Sequence, residues 1–273
     1  MRITFIGGGN MASAIAGGLI AKGAPASSLR VVEPSAGQRA RLIGEHPGLE
    51  LHAMAAAPAF AGTDAVVFAV KPQQMHEAAA AVAAHVAPVP VVLTIAAGVR
   101  CADLSRWLGG YARIVRAMPN TPALIGAGIS ACYATPDARE HVALAEDILR
   151  GCGEVLRVSE ERALDAITGI SGSGPAYVFY FLEALERAAR ELGFPAAEAR
   201  RLAYATFDGS IRLALASEDT AAELRARVTS RAGTTARALE VLDAGRAGDV
   251  LVAAVKAAAA RATELGDEFG RVA

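Results

Sequence analysis

Short apolar runs alternate with segments of helical composition through the first half of the chain. The runs predict strands at residues 2–6, 29–32, 65–70, 91–95 and 113–118. Those at 65–70 and 91–95 are continuously apolar, as is typical of parallel strands covered on both faces. Segments between the runs, such as residues 72–86, are helical in composition. Strands that alternate with helices predict an α/β domain with a parallel, doubly wound sheet.

Beyond about residue 158 the pattern changes to long stretches of Ala, Leu, Arg and Glu with helical spacing. These stretches cover residues 167–192, 196–217 and 248–265, and they contain almost no clusters of β-branched residues, which strands favour. We therefore predict two domains, an α/β domain over residues 1–160 and an all-helical domain over residues 161–273.

Composition and charge exclude several classes of function. The net charge is −1, the pI is about 6.5 and only 5% of residues are aromatic, so nothing favours nucleic-acid binding. The uncharged stretch 78–99 approaches the ~20 residues of a membrane span, but Pro88 and Pro90 divide it. The N-terminus lacks the features of a signal peptide, and Cys101, Cys132 and Cys152 have no disulfide or metal spacing. We expect a cytoplasmic protein that binds no metal, membrane or nucleic acid.

A glycine-rich segment joins the first predicted strand to the first predicted helix. Gly7-Gly8-Gly9-Asn10-Met11-Ala12 fits the pattern G-x-G-x-x-A. The first glycine of this pattern permits a tight turn, the second lets the backbone approach a pyrophosphate, and the final small residue packs helix on sheet. The N–H groups at the start of the helix then attract phosphates. The segment predicts a Rossmann dinucleotide-binding domain.

An acidic residue lies where such a domain places its ribose ligand. Glu33 comes 21 residues after Ala12, at the end of the second predicted strand. Its carboxylate can accept hydrogen bonds from the ribose hydroxyls, and it would disfavour the 2′-phosphate of NADPH. Arg39 is the nearest compensating cation, so the sequence leans weakly toward NADH. The alternative is that Glu33 is an ordinary solvated residue.

Further motifs follow in order along the chain. They are Ala69-Val70-Lys71-Pro72-Gln73, Ala96-Ala97-Gly98-Val99, Met118-Pro119-Asn120-Thr121-Pro122, the segment from Thr168 to Tyr177, and Val228-Thr229-Ser230-Arg231-Ala232-Gly233-Thr234-Thr235. Together with the glycine-rich segment they resemble the pyrroline-5-carboxylate reductase family, over essentially the whole chain. The combination is specific, whereas each motif alone is much less so.

The resemblance implies reduction of 1-pyrroline-5-carboxylate to L-proline by hydride transfer from NADPH or NADH, the last step of proline biosynthesis. It implies a helical domain that forms homodimers, which assemble into a decamer. The residues that it places on the cofactor are Ile6, Gly7, Gly8, Gly9, Asn10, Met11, Glu33, Ala69, Val70, Lys71, Pro72, Ala97 and Asn120. Those that it places on the imino-acid substrate are Ser230, Gly233, Thr234 and Thr235.

Reduction of a C=N bond needs a hydride donor, a fixed face of attack and a hydrogen-bonded or protonated nitrogen. Because the cofactor supplies the hydride, the protein has to bind, orient and polarise. Backbone amides of Gly233, Thr234 and Thr235 at a helix start suit the substrate carboxylate. The Thr235 hydroxyl is the candidate partner of the ring nitrogen. Lys71 is a second catalytic candidate, with solvation at a strand end as the alternative.

This chain departs from the family pattern at two places. The family usually has Pro-Gly-Gly where this chain has Arg231-Ala232-Gly233, so a permissive backbone position is lost. It also commonly has asparagine where this chain has Ala56.

Two further predictions concern a helix start and the histidines. Residues 171–175, Ser-Gly-Ser-Gly-Pro, are typical of a capped helix start. The histidines show no pairing with a nucleophile or a carboxylate.

Other functions with the same architecture stay open. A β-hydroxyacid dehydrogenase would need a lysine in the helical domain as acid and base, and Lys256 is the only one there. It lies in an alanine-rich stretch without the expected surrounding motif. A broader imine reductase and a non-catalytic dinucleotide sensor are the remaining alternatives, and the sensor would not need the segment Gly233-Thr234-Thr235.

Overall fold

The computed structural model describes residues 1–271, and the contacts within the chain divide it into two units. The first unit contains Met1–Ser173 and, among the described residues, 256–271. The second contains Gly174–Val255. The domain boundary at residue 160 stays a prediction.

An eight-stranded sheet in the order β3-β2-β1-β4-β5-β6-β7-β8 forms the centre of the first unit. Neighbouring strands are parallel, except that β7 runs antiparallel to β6. Chain order reverses at β1, which lies between β2 and β4, as in a doubly wound sheet. The predicted Rossmann architecture is confirmed. The strands are β1 (Ile3–Ile6), β2 (Leu29–Val32), β3 (Glu50–His52), β4 (Ala65–Phe68), β5 (Val91–Thr94), β6 (Ile114–Met118), β7 (Gly128–Ala134) and β8 (Gly153–Arg157).

Helices cover both faces of this sheet, and each face has its own hydrophobic core. They are α1 (Asn10–Ala21), α2 (Ala36–Glu45), α3 (Ala57–Phe60), α4 (Met75–Val86), α5 (Cys101–Trp107), α6 (Val142–Arg150) and α7 (Ala163–Ile167). One core joins Phe5 to Ile15 of α1 and Ile148 of α6. The other joins Phe68 to Val82 of α4. Burial on both faces explains why β4 and β5 have continuously apolar sequences.

Two of these helices meet without side chains between them. A Cβ atom added to Gly18 of α1 would collide with the carbonyl oxygen of Gly151, just beyond α6. A Cβ atom on Gly151 would in turn lie 3.3 Å from the backbone nitrogen of Leu19. The ammonium of Lys22 also donates a hydrogen bond to the carbonyl of Arg150. The glycines therefore allow the backbones of α1 and α6 to come into contact.

The second unit is helical throughout, as predicted. Its helices are α8 (Gly174–Glu191), α9 (Ala196–Leu215), α10 (Ala221–Arg227), α11 (Thr234–Ala244) and the first turns of α12 (Ala247–Gly270), which passes into the first unit at Lys256. Few of its side chains are buried, namely Leu182, Ala199 and Ala203. Large apolar side chains such as Phe179, Tyr180 and Leu215 are exposed.

Within residues 1–271, no helix is both long enough and apolar enough to cross a membrane.

Candidate active site

The predicted cofactor residues lie at the carboxyl ends of neighbouring strands. Ile6 ends β1, and residues 7–11 follow it directly. The remaining predicted residues follow four further strands: Glu33 after β2, Ala69, Val70, Lys71 and Pro72 after β4, Ala97 after β5, and Asn120 after β6. Parallel strands present their carboxyl ends at one edge of a sheet, and ligands of such sheets bind where the chain order reverses. The fold therefore gathers these residues around β1, at the reversal point.

The glycine-rich loop after β1 has the geometry that a dinucleotide needs. Gly7 has a φ angle of +92°, and a Cβ atom there would lie 2.7 Å from Cγ1 of Val70. A Cβ atom on Gly8 would lie 2.6 Å from Cδ1 of Leu42, whereas one on Gly9 would meet nothing within 4 Å. The first two glycines therefore fit against the protein itself, and Gly9 presents bare backbone to open space.

Helix α1 directs its first N–H groups toward that space. Gly9 is the N-cap residue and has no side chain with which to cap the helix. The first intrahelical hydrogen bond runs from the Ser13 N–H to the Gly9 carbonyl at 3.0 Å. The amides of Asn10 and Met11 consequently have no partner inside the helix. Such amides, together with the helix dipole, bind phosphate, so the residues present fit the pyrophosphate of a dinucleotide.

Glu33 is held in a fixed position beside this loop. Its carboxylate accepts hydrogen bonds from the backbone N–H of Gly8 at 2.9 Å and from that of Ser35 at 2.8 Å. Each carboxylate oxygen keeps a lone pair with which it can accept a hydrogen bond from a ribose hydroxyl. The Arg39 guanidinium donates to the carbonyls of Glu33 and Pro34 at 2.7 and 2.8 Å. Glu33 is therefore not an ordinary solvated residue.

A cavity of about 330 Å³ opens between Glu33 and helix α4. This volume falls within the ~300–1,000 Å³ that is usual for small-molecule sites. Its walls are mainly apolar, with Met54, Val70 and Val82 among them. Glu33 and Glu77 are its charged lining residues, and no lysine or arginine lines it in the described part of the chain. The position and apolar walls suit the adenosine half of a dinucleotide.

Sequence reasoning missed two residues whose side chains hold the backbone of the glycine-rich loop in place. The amide of Gln38 and the guanidinium of Arg41 donate to the Gly8 carbonyl at 2.9 and 3.2 Å. Both belong to α2 and lie three residues apart, so they share one face of that helix. This spacing is the only signal that the sequence carries, because their acceptor is a backbone atom more than 29 residues away.

The prediction that no histidine pairs with a nucleophile or a carboxylate is wrong for two of the histidines. His46 Nε2 lies 2.8 Å from the hydroxyl of Ser13, which also donates to the Glu45 carboxylate at 2.8 Å. The hydrogen bond from Ser13 is the main cause that lowers the pKa of the Glu45 carboxyl. Desolvation opposes this shift, and Arg41 adds to it. His52 pairs with Glu50 at 2.9 Å. In neither case does a carboxylate orient the histidine toward a nucleophile, so these are structural contacts.

Asn120 connects the loop after β6 to two other elements. Its side-chain amide donates to the Ser171 carbonyl at 3.1 Å, and its carbonyl oxygen accepts from the Ile129 N–H at 2.9 Å. Helix α8 begins at Gly174 with Pro175 in its first turn, so the predicted helix start at residues 171–175 is confirmed. Helical structure already precedes it, in α7 and in a π-helical turn, Thr168–Gly172. Pro175 has no N–H to offer the Ser171 carbonyl four residues earlier, and Asn120 supplies the missing donor.

Lys71 begins the short 3-10 turn Pro72–Gln74 that follows β4. Its side chain is exposed, and within residues 1–271 its ammonium has no hydrogen bond or ion pair. The position at the carboxyl edge agrees with a role beside the cofactor. The catalytic role of Lys71 stays a prediction.

The predicted substrate residues lie at the start of α11 in the second unit. Gly233 is the N-cap residue of α11, and its N–H donates to the Ser230 carbonyl at 3.0 Å. A Cβ atom on Gly233 would collide with the Ser230 hydroxyl. The Arg237 N–H makes the first intrahelical hydrogen bond, to the Gly233 carbonyl, so the amides of Thr234 and Thr235 are among those left without an intrahelical partner. The Gly233 amide, which the sequence analysis also assigned to the substrate carboxylate, is therefore engaged by Ser230, and the amides of Thr234 and Thr235 remain for that role.

The three cysteines take no part in this chemistry. Cys101, Cys132 and Cys152 are all free and buried. Burial raises the pKa of each thiol, to about 11 for Cys132. They are therefore protonated and unreactive at neutral pH.

Comparison with known proteins agrees with this geometry. The family model described as pyrroline-5-carboxylate reductase dimerisation matches residues 161–265, and one described as NADP oxidoreductase, coenzyme F420-dependent, matches residues 2–98. A pyrroline-5-carboxylate reductase of Pseudomonas aeruginosa is 41% identical over 273 residues, which cover 99% of this chain and 98% of that protein.

Two solved structures share the whole fold. That of a pyrroline-5-carboxylate reductase from Coxiella burnetii has a TM-score of 0.89 and 38% identity, and covers 97% of this chain and 98% of its own. The Plasmodium falciparum pyrroline carboxylate reductase, solved with NADP bound, has a TM-score of 0.85 and 26% identity over the same shares. Likeness over the full length, at this identity, shows descent as well as fold: the chain belongs to the pyrroline-5-carboxylate reductase family.

Proposed function

We propose that this protein reduces 1-pyrroline-5-carboxylate to L-proline with a hydride from NAD(P)H. The observation that carries the proposal is the helix start at Gly233, with Thr234 and Thr235, in a chain that also has the complete glycine-rich loop. A dinucleotide sensor would need only the loop. Full-length identity to relatives that bear the name of this enzyme supports the same conclusion.

The residues of this chain divide the work between binding and polarisation. The amides of Asn10 and Met11 hold the pyrophosphate, and Glu33 holds a ribose. When bound, NAD(P)H supplies the hydride. The amides of Thr234 and Thr235 bind the substrate carboxylate. Ser230 and Gly233 form the turn that leaves these amides accessible to the substrate. The Thr235 hydroxyl donates to the ring nitrogen, and Lys71 contributes a positive charge near the cofactor.

We further propose that the protein prefers NADH to NADPH. The solved Plasmodium falciparum relative has NADP bound, so the comparisons give this preference no support. Its basis is local: two backbone amides fix Glu33, and the adjoining cavity has Glu33 and Glu77 but no cation in its described lining. A ribose 2′-phosphate would meet these carboxylates. The preference is measured as kcat/KM for NADH divided by kcat/KM for NADPH. Glu33→Gln should lower this ratio. A ratio below one for the wild type would overturn the proposed preference.

We also propose that cytoplasmic homodimers assemble into a decamer. The match to a dimerisation model over residues 161–265 and the exposed apolar side chains of the second unit support self-association. The number of subunits follows only from the resemblance. Light scattering after size-exclusion chromatography gives the mass directly, and a mass of two subunits at micromolar concentration would contradict the decamer.

The decisive experiment compares two substitutions at Thr235 in steady-state oxidation of NADH and NADPH with pyrroline-5-carboxylate. Thr235→Val keeps the shape but removes the hydroxyl, and Thr235→Ser keeps the hydroxyl. We expect kcat to fall about 10- to 100-fold in the valine variant, as general acid catalysis contributes ~10²–10⁴-fold when complete. The serine variant should stay within a few-fold of wild type.

Formation of proline has to accompany the loss of absorbance of the reduced cofactor. No turnover by a wild-type protein that still binds dinucleotide would refute the reductase and favour the sensor. Equal activity of wild type and Thr235→Val would leave the reaction intact but remove Thr235 from it.

A further inference from the structure

The last two turns of α12, residues 263–270, pack against the loop that follows β5. Here they are called the C-terminal brace. Gly98 in that loop has a φ angle of +75°. A Cβ atom at Gly98 would lie 3.2 Å from Cβ of Leu265 and 3.2 Å from Cε2 of Phe269. The brace therefore covers the bend of the loop with two apolar side chains, at a distance that only glycine permits.

Polar contacts tie the brace to helix α5 on the far side of the loop. The Arg100 guanidinium donates to the Asp267 carboxylate at 2.6 Å. Arg106, one turn and a half further along, donates to the Gly270 carbonyl at 3.0 Å. A Cβ atom at Gly266 would lie 3.0 Å from Nε of Arg100, so this glycine lets the arginine cross the helix. The brace is thus fixed near both ends of α5.

A third group of contacts extends from the brace toward β6. The Thr263 hydroxyl lies 3.4 Å from the Asp165 carboxylate. Asp165 pairs in turn with Arg116 of β6 at 2.9 Å, and the Arg116 side chain is only 4% exposed. A buried arginine with such partners holds one position, because leaving its charge unpaired would be costly. The brace therefore rests on a rigid part of the sheet.

The loop under the brace also borders the cofactor edge. The N–H of Ile95 donates to the Phe68 carbonyl at 3.2 Å, which joins the start of this loop to the end of β4. Ala69, Val70 and Lys71 follow directly. Ala97 lies between this anchored start and the bend at Gly98, and it is half-buried. The segment that reaches the cofactor edge is thus held at Ile95 and at Gly98.

We propose that the C-terminal brace is a positioning element of the dinucleotide site, with Phe269 and Asp267 as its positioning residues. The inference rests on the proposed function, because it takes the ligand of this edge to be NAD(P)H. A left-handed bend covered by Leu265 and Phe269 has one conformation. With Phe269 removed, other conformations of the loop become populated, and the apparent Kd rises in inverse proportion to the competent fraction.

The test is equilibrium binding of NADH and NADPH, followed by fluorescence of the reduced nicotinamide, without substrate. Phe269→Ala removes the cover and Phe269→Leu retains an apolar one. Glu268→Gln is the matched control, because Glu268 is exposed and bonds to Arg261 on the same helix. We expect a rise in Kd of about tenfold for Phe269→Ala, corresponding to a competent fraction of about one tenth. The leucine and control variants should stay within about twofold.

The single tryptophan provides a second readout that needs no ligand. Trp107 ends α5, directly after Arg106, and is 8% exposed. Its emission should shift to longer wavelength in Phe269→Ala and not in Glu268→Gln. In turnover, Phe269→Ala should raise KM for the dinucleotide while kcat and KM for the imine stay near wild type, a split that general destabilisation would not produce.

Several outcomes would decide against the inference. Equal affinities of all variants would overturn the brace and leave the proposed function standing. A wild-type protein that binds neither dinucleotide would overturn the proposed function and the brace together. If Phe269→Ala fails to fold, Asp267→Arg replaces it: both side chains of the Arg100–Asp267 pair are partly exposed, so the fold should survive. An unchanged Kd in that variant would again overturn the brace.

Discussion

At the scale of single residues, Ala232 has a strained backbone; with Arg246 it is one of two described non-glycine residues with a left-handed φ angle. Its φ angle is +58°, in the left-handed region that glycine adopts readily and alanine does not. The family pattern has glycine at this position, so the departure noticed in the sequence has a physical consequence. The strain lies directly before Gly233 and therefore before the proposed substrate amides.

Ala232→Gly should accordingly stabilise the protein. Relief of left-handed strain contributes ~1–2 kcal/mol, and the greater freedom of glycine in the unfolded chain offsets part of it. We expect a net gain of about 0.5–1 kcal/mol in the free energy of unfolding by urea at fixed protein concentration. Ala238→Gly, inside α11 and exposed, is the control and should lose about 1 kcal/mol. A loss in both variants would show that Ala232 is not strained.

Asn120 offers a second test at this scale, through Asn120→Asp. The substitution keeps an acceptor for the Ile129 N–H and replaces the donor to the Ser171 carbonyl by an oxygen. The Ser171 carbonyl would then lack a hydrogen-bond donor and would face a carboxylate, which should lower the free energy of unfolding by about 1–3 kcal/mol. Asn10→Asp, at an exposed helix start that favours negative charge, should cost nothing in the same urea titration. Equal stability of Asn120→Asp and wild type would mean that the bond to Ser171 does not form.

The residues that could be predicted from sequence are those whose chemistry is local. Gly7, Gly9 and Glu33 were predictable, since turn, approach and acid follow from spacing alone. Gln38 could not be predicted, because its acceptor lies 30 residues away. The partner of Asn120 lies 51 residues away, and its need for a donor arises from Pro175. Contacts of that range depend on the fold and leave no periodic signal.

At the scale of elements, strands were predictable where they form the middle of the sheet. The strands β1, β2, β4, β5 and β6 fall within the predicted runs, because burial on both faces demands continuous apolar sequence. The prediction missed three others. Strand β3 has three residues, and β7 is rich in Gly, Ser, Ala and Cys. Strand β8 lies at the edge of the sheet, and its sequence Gly-Glu-Val-Leu-Arg has only two consecutive large apolar residues between charged ones.

The backbone contact between α1 and α6 predicts a severe effect of Gly18→Ala. The added methyl group would collide with the Gly151 carbonyl, and neither backbone can move without disturbing the core around Leu19. Overpacking of this kind costs ~1–3 kcal/mol, occasionally more. The control is Gly44→Ala in α2, where a Cβ atom meets nothing within 4 Å. It should raise stability by about 0.4–1 kcal/mol, so thermal melts of the two variants should shift in opposite directions.

Helix α6 and strand β8 are joined by an ion pair that makes stability depend on pH. The hydrogen bond from Arg157 to Glu146, helped by Arg150, holds the pKa of the Glu146 carboxyl below its ordinary value of 4.5. The folded protein therefore binds fewer protons than the unfolded chain. The contribution is complete above pH 4.5 and is lost as the pH falls through the lowered folded value.

Glu146→Gln should therefore flatten the acid side of a plot of unfolding free energy against pH. The change in slope should be confined to values below about pH 5, whereas the unfolding free energy at pH 7 should be lower than that of wild type because the ion pair is gone. Arg157→Gln should flatten the curve less, since Arg150 still contacts Glu146. A wild-type slope in Glu146→Gln would show that other carboxylates dominate acid unfolding.

At the scale of the whole molecule, the second unit cannot account for its own stability. It buries Leu182, Ala199 and Ala203 but exposes Phe179, Phe181, Tyr204, Ile211 and many other large apolar side chains. Surfaces of this kind mark interfaces. The sequence alone predicted the helices of this unit, but helical spacing does not tell which apolar faces meet in one chain and which meet between chains.

A charge placed on this surface should reduce the size of the oligomer. Phe179 is 62% exposed, and Phe179→Asp should lower the mass measured by light scattering at micromolar concentration, because an unpaired carboxylate is costly to bury. Ile43→Asp is matched to it: Ile43 is 53% exposed but belongs to the first unit. The same reduction in both variants, or in neither, would contradict an interface formed by the second unit.

The two-part composition of the first unit has a consequence for how the protein is made. Arg100 and Asp267, which contact each other at 2.6 Å, are 167 residues apart in the chain. Ribosomes add about 5–20 residues per second, and domains usually fold as they emerge. The sheet can thus assemble while α12 is still absent, but Gly98 stays uncovered until Phe269 has left the ribosome. Nascent chains should therefore acquire full affinity for the dinucleotide in a late step, after the helices of the second unit have been synthesised.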